Sequence, residues 1–449
     1  MSDTIGARLD RLPVTRLHKY VIAVVGVATF FDLYDLFLAS TVSSVLSKEF
    51  GVTSAELKPL LASAFLGAFV GAIGLGGLAD RFGRRNAFLV TLGIYSVFTL
   101  VGAFSTDVWM LVVCRFAAGV GIGAELPLAD AYLADLLPGK SRGRATAWAY
   151  TIGFCGVPAA GFLARGLVGH APFGIDGWRV LFVVGALGAA VIWVLRTGLP
   201  ESPRWLAAQG RHDEADAIVK RLEASAGVAS PERAAEPEVS EERVKFSALF
   251  QRPWRRRTVM LYVLQLMQAF GYYGFGSLVP IVLAAKGFTL TSSLTFSALT
   301  FLGYPIGSAL SIPIIERMQR KWLIVASASG MALFGLAFGL STSAVAITIF
   351  GFCYTAISNL FSNAYHTYQG ELFPTSLRAT AAGSGYSLSR LATAAMPYVL
   401  IPILDSSGAT WMFATVAVAM VILVINVSLL GPRTTGRSVD SIAGSPTVR

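Results

Sequence analysis

The chain is short of charge. Only 14% of its 449 residues are Asp, Glu, Lys or Arg, where a soluble domain carries about 25%. Too few ionic groups remain to dress a water-facing surface of this size, which excludes an ordinary soluble enzyme, and neither a catalytic triad nor a phosphate-binding loop is found. Cysteine is scarce as well. Cys114, Cys155 and Cys353 all fall inside apolar segments without metal-ligand spacing, so they imply neither a disulfide framework nor a metal site and read as small packing residues. No stretch has the form of a secretory leader. The basic N-terminus (Arg8, Arg11, Arg16, Lys19) is expected to stay in the cytoplasm, and no cofactor is implied.

What the chain has in quantity is apolar residues, 54% of the total. A helix needs about 20 of them to cross the hydrocarbon of a bilayer. Twelve such runs can be marked: 20–46, 60–79, 86–104, 108–133, 145–168 and 180–199, then 259–284, 293–315, 322–340, 344–368, 380–404 and 411–430. The net charge of +10 does not point to nucleic acid, because the basic residues sit in short loops between these runs. They also alternate in side, as the positive-inside rule requires: Arg81, Arg84 and Arg85 follow the second run, Lys140, Arg142 and Arg144 the fourth, Arg317, Arg320 and Lys321 the eighth, and Arg378 the tenth. Lys48, Lys58, Arg179 and Lys286 are the exceptions on the other side. The expectation is an all-α membrane protein of twelve transmembrane helices in two pseudo-symmetric six-helix halves. Residues 1–19 form a cytoplasmic tail, 20–199 the first half, 200–257 a cytoplasmic linker, 258–430 the second half and 431–449 a second cytoplasmic tail.

The halves repeat. Asp80-Arg81 after the second run and Glu316-Arg317 after the eighth lie 236 positions apart. Asp135-Leu136-Leu137-Pro138 with Arg142 and Glu371-Leu372-Phe373-Pro374 with Arg378 share the same offset of 236. Two independent motifs on one offset mark an internal duplication, and transporters built this way bind substrate between the halves near mid-membrane.

The loop Gly76-Gly77-Leu78-Ala79-Asp80-Arg81-Phe82-Gly83-Arg84-Arg85 fits G-x-x-x-D-R-x-G-R-R at every fixed position and resembles the signature loop of the major facilitator superfamily. Arg115 to Glu125 fits R-x-x-x-G-x-G-x-G-x-E, and Pro200 to Leu206 reads P-E-S-P-R-W-L. Both are similar to the branch that includes sugar porters, phosphate symporters, organic cation and anion transporters, and bacterial proton symporters for aromatic acids and nicotinate-like compounds. Pro432, Thr434, Gly436 and Arg437 look like a degraded form of that branch's closing motif. The resemblance implies a bacterial inner-membrane protein with both termini cytoplasmic, working as a monomer. It also implies a cytoplasmic gate: Asp80 facing a helix N-terminus, where partial positive charge favours an anion, and Arg81, Arg84 and Arg85 reaching carboxylates such as Asp135. Glu316, Arg317, Glu371 and Arg378 are the second half's counterparts, although the second loop lacks the glycine. The plain alternative is a positive-inside loop with no gating role.

Ionisable groups inside a span are costly and are functional candidates by default. Asp32 and Asp35 are three apart and share a helix face. By helical rise they lie roughly 18–22 Å from the cytoplasmic end of the first run, and Arg115 lies about 10 Å below the periplasmic end of the fourth. An Asp–Arg cluster at one depth lowers the burial penalty, and two carboxylates in one site favour holding a proton. These residues and Glu125, which faces either the cavity or the gate, are the proton-coupling candidates, against the alternative of a structural salt bridge. Asp130 is expected to pair with gate arginines. In the second half Arg390, about 16 Å into its run, can bind a carboxylate through two parallel hydrogen bonds or pair with a protein carboxylate. Gln268, Tyr272, Tyr273, Asn359 and Asn363 complete the candidate substrate site. The expected function is proton-coupled symport of a small organic anion by alternating access. An organic cation carrier, a phosphate or sugar symporter, and a non-transporting sensor on the same fold are the alternatives.

Overall fold

The computed structural model describes residues 4–75, 81–138, 141–168, 170–171, 174–228, 246–252, 254–315, 317–373 and 375–434. Among them there is no strand, and eleven helical segments are long and apolar enough to cross a membrane. In hydrocarbon every backbone N–H and C=O must be satisfied within its own segment, which selects helices. The spans are Arg16–Thr41, Ala55–Gly74, Arg84–Ala103, Val108–Leu136, Arg142–Leu167 and Gly177–Thr197 in the first half. They are Arg255–Ala285, Leu290–Ile315, Arg320–Leu340, Ala344–Glu371 and the segment ending at Leu430 in the second. That last segment is two spans joined at Gly408, whose φ of 83° breaks the helix, so the total is twelve.

Small residues set the helix spacing, as expected where lipid offers no hydrophobic drive between helices. Gly67 and Gly71 of the second span lie so close to the Phe116 and Val120 carbonyls of the fourth that a Cβ at either would strike backbone. Gly303 and Gly307 of the eighth span meet Phe352 and Ala356 of the tenth in the same way. All four glycine–partner positions are related by the 236-residue offset, so the duplication holds at the level of single contacts. The halves meet where the fifth span packs on the eighth, with Gly161 against Ala298 and Thr151 Oγ1 3.0 Å from Ser308 Oγ. They meet again where Gly276 of the seventh span packs on Phe37 of the first. The outer surface is apolar: Val97, Val113, Leu187, Leu333, Trp411 and Leu429 are all more than half exposed.

The seventh span is not a plain helix. Residues Ala269–Tyr273 form a widened π turn, a local insertion that re-aims side chains and is frequent at functional sites. Tyr354 donates its hydroxyl to the Gly271 carbonyl in that turn at 2.8 Å. On the face that carries the linker, a short helix Ile5–Arg11 is clamped to the linker helix His212–Ala226. Arg8 is buried there, donating to Glu223 at 2.9 and 2.7 Å and to Asp216 at 2.5 Å.

The glycine contacts give a direct expectation. Gly71→Val drives a branched side chain into the Val120 carbonyl and should cost about 1–3 kcal/mol, read as a lowered unfolding temperature in detergent. Gly74→Ala, where nothing lies within 4 Å, should leave that temperature unchanged or slightly higher.

Candidate functional site

Three groups of polar residues can be followed from the linker face to the membrane centre. At the rim, Arg84 Nε approaches Asp135 at 3.4 Å, and Ser202 Oγ donates to the same carboxylate at 2.8 Å. The anion at the N-terminus of the third span is Glu201. It accepts from the backbone N–H of Arg84 at 2.8 Å and of Arg85 at 3.2 Å, the positive end of a helix being suited to a carboxylate. Gly83, with φ 93°, is needed because a Cβ there would fall on Glu201. The sequence assigned this capping place to Asp80, which lies outside the described residues, as does Glu316. Arg81 is exposed with its guanidinium 5.3 Å from the Phe82 ring, and Arg85 reaches the Thr197 carbonyl. In the second half Arg320, not Arg317, approaches Glu371, at 3.2 Å. Arg317 is exposed and Arg378 half-buried. Arg84–Asp135 and Arg320–Glu371 are one contact repeated at the 236-residue offset. The second loop does without its glycine because Gln319 sits at an ordinary φ of −63°.

Inside the first half, two arginines are buried with two carboxylates. Arg115 pairs with Asp35 and also donates to the Asp35 carbonyl at 2.8 Å, while Thr99 donates to the same carboxylate at 3.3 Å. Glu125 is buried. It pairs with Arg196 of the sixth span and accepts from Thr91 at 2.9 Å, and the Arg196 guanidinium lies 4.1 Å from the Phe88 ring centre. Arg196 was not among the expected site residues. It falls near the end of the run 180–199 and drew no reading from the sequence, yet it is 1% exposed. Asp32 is also 1% exposed, and both its carboxylate oxygens lack a hydrogen-bond partner. It lies within electrostatic reach of Glu125, Arg196 and Asp35.

In the second half Arg390 is 2% exposed. Its guanidinium is held between the rings of Tyr273 and Tyr386, 4.6 and 4.4 Å from their centres. It donates to the Tyr386 hydroxyl at 2.5 Å, while Nε and Nη1 have no acceptor. Tyr273 in turn contacts Phe65 and Phe37 of the first half at ring-centre distances of 5.5 and 6.5 Å, which puts Arg390 beside the junction between halves. Tyr272 donates to Asn359 at 2.9 Å. Gln268 donates to Ser389 at 2.5 Å and leaves its Oε1 without a partner. Asn359 and Asn363 donate their amides to the eighth span, at the Tyr304 carbonyl (2.6 Å) and Ser311 (2.6 Å), and so tie two helices together. Asp130 is bonded to Tyr150 at 2.8 Å instead of to a rim arginine. The Tyr150 ring stacks on His366 across the halves at 6.2 Å. Among the described residues no group of His, Cys, Asp and Glu could hold a metal ion.

Residues 17–444 match the family model described as sugar (and other) transporter. The chain belongs to this family of the major facilitator superfamily. The transporter is 34% identical to YyaJ of Bacillus subtilis, over 85% of each chain. It is 30% identical to the niacin transporter NiaP of Acinetobacter baylyi, over 97% of its own length and 99% of that protein's. The partially occluded, inward-open xylose transporter XylE of E. coli superposes with a TM-score of 0.75 over 94% of this chain and 100% of that one, at 19% identity, which shows the shared twelve-helix fold. The protein is therefore a multi-pass membrane transporter of a small molecule and not an enzyme.

Removing one member of a buried pair leaves the other uncompensated, a loss of about 3–5 kcal/mol. Arg196→Met should lower the unfolding temperature of the purified protein sharply. Adding Glu125→Gln to it should restore most of the loss. An unchanged double variant would mean that Arg196 acts by packing on Phe88 alone.

Proposed function

We propose that this transporter carries a small aromatic carboxylate in symport with protons, by alternating access, with the linker face in the cytoplasm of a bacterial inner membrane. The observation that carries the reading is Arg390: a buried guanidinium with two N–H-bearing nitrogens unused and aromatic rings on both sides. Such a site suits a planar ring bearing a carboxylate, since the unused N–H groups can donate charge-assisted hydrogen bonds to the carboxylate and the neighbouring rings offer aromatic surface to the substrate. The niacin transporter among the relatives supports an acid of this kind. The rim pairs Arg84–Asp135 and Arg320–Glu371, with Arg81, Arg85, Arg317 and Arg378 around them, act as the gate that breaks when the cytoplasmic side opens.

Charge supplies the coupling. Asp35–Arg115 and Glu125–Arg196 are each neutral and Asp130 keeps its bond to Tyr150, so the scheme takes Asp32 and Arg390 as the two groups whose state changes. Empty, an ionised Asp32 and Arg390 sum to zero. Loaded, a protonated Asp32 and an Arg390–carboxylate pair again sum to zero. With only a proton or only a substrate aboard, the core carries a net charge, and moving that through hydrocarbon is costly. Only the empty and the fully loaded protein reorient readily, which is the rule a symporter needs. Asp32 is the proton carrier in this scheme, with Asp35 and Arg115 as its fixed neighbours.

The test is uptake into liposomes under an imposed pH gradient, together with direct binding. Arg390→Ala should weaken binding of an aromatic carboxylate about thirtyfold, and Arg390→Lys about tenfold, in line with the loss of a charge-assisted pair. An amine that binds wild type and Arg390→Ala equally, with no carboxylate bound by either, would instead mark an organic cation carrier. Asp32→Asn should still bind and exchange substrate but lose accumulation driven by the pH gradient. Retained accumulation would remove Asp32 from the coupling.

A further inference from the structure

On the outer side of the rim, with Arg85 on its wall, a cavity of about 460 Å³ opens between the ends of the third and sixth spans and the linker helices. Its walls carry Arg85, Arg211 and Arg221 together with the rings of Phe82 and Trp205. The two carboxylates on the same walls are engaged already. Glu201 accepts from the backbone N–H groups of Arg84 and Arg85. Glu214 is gripped by Arg211 at 2.7 and 2.8 Å, and the guanidinium holds it below the ordinary carboxylate range. Positive charge is left over. Arg85 Nε is buried without an acceptor, and Arg221 stands exposed on the linker helix with no ion pair among the described residues.

The position of the cavity says which anion it suits. The third span begins at Arg84 and the sixth ends at Thr197, so the cavity lies where hydrocarbon gives way to headgroups. Within the next turns the same two helices turn Val90, Leu195 and Val194 outward, 46, 41 and 62% exposed. Between them Trp193 donates its indole N–H to the Leu89 carbonyl at 3.0 Å, at the level where amphipathic aromatics mark a membrane interface. An apolar seam therefore runs straight into a basic, aromatic-lined cavity. A soluble phosphate would use only the cavity, whereas a phospholipid uses both: phosphate on the arginines, acyl chains along the seam.

We infer that this cavity is a binding site for the headgroup of an anionic phospholipid. The full-length protein in detergent is titrated with phosphatidylglycerol, phosphatidylcholine or free glycerol phosphate, and lipid retention is read by native mass spectrometry alongside thermal unfolding. Phosphatidylglycerol should be retained and raise the unfolding temperature, while the other two leave it unchanged. Arg221→Ala should weaken phosphatidylglycerol binding about fivefold, and Arg221→Glu further. Both variants should unfold like the wild type in phosphatidylcholine; if the charge reversal fails to fold there, Arg221→Gln replaces it. Phosphatidylglycerol binding that is the same in all Arg221 variants overturns the assignment. Stabilisation by glycerol phosphate equal to that by the lipid overturns it as well, because the cavity would then serve a soluble anion.

Discussion

A charge taken into hydrocarbon must be answered by another, and that constraint organises the interior of this protein. Each buried arginine of the first half has its carboxylate: Arg115 has Asp35, Arg196 has Glu125. Each pair also joins spans that are distant in sequence, so neutralisation and helix assembly are one event. Asp130 is bonded to the neutral Tyr150, and two further groups stand outside this pairing, Asp32 in the first half and Arg390 in the second. They are opposite in sign and sit on opposite sides of the junction that must open and close. An unanswered buried charge is costly, and in the proposed mechanism a proton answers Asp32 and a substrate carboxylate answers Arg390.

The duplication makes the contrast sharper. Helix contacts and rim pairs obey the 236-residue offset: Gly67 and Gly71 with Gly303 and Gly307, Arg84–Asp135 with Arg320–Glu371. The interior charges do not. The positions equivalent to Asp35 and Arg115 are Gly271 and Gly351, and the position equivalent to Arg390 is Phe154. The frame was copied while the chemistry was divided between the copies. Gly271 now lies in the widened turn of the seventh span, the place where an aspartate's counterpart has been traded for a backbone distortion that aims Tyr272 and Tyr273.

Much of the architecture could be read from the chain because its signals are long. Apolar runs, basic loops and a repeated offset each draw on many residues, and the break at Gly408 falls inside the gap expected between 404 and 411. The site was legible only in part, for local reasons. Asp32, Asp35, Arg115 and Arg390 stand out as charges in apolar surroundings. Arg196 does not, because a charge one turn from a span end looks like an ordinary flank. Asn359 and Asn363 form a visible polar stripe, but a stripe does not tell which neighbour it faces, and the eighth span took both amides. Glu201 was visible as part of a motif, while its role as a helix cap depends on a contact made across more than 100 residues of sequence.

The join at Gly408 has a mechanical consequence. Most neighbouring spans are connected by loops that can absorb a change in angle. The eleventh and twelfth are connected by one residue in a left-handed conformation, with no slack on either side. They behave as a bent crank. Arg390 is on one arm, and the other arm reaches Met420 against Gly271 in the widened turn. A tilt of the eleventh span therefore has only Gly408 to take it up before the twelfth span moves, and the twelfth span touches the turn that presents Tyr273 to the guanidinium.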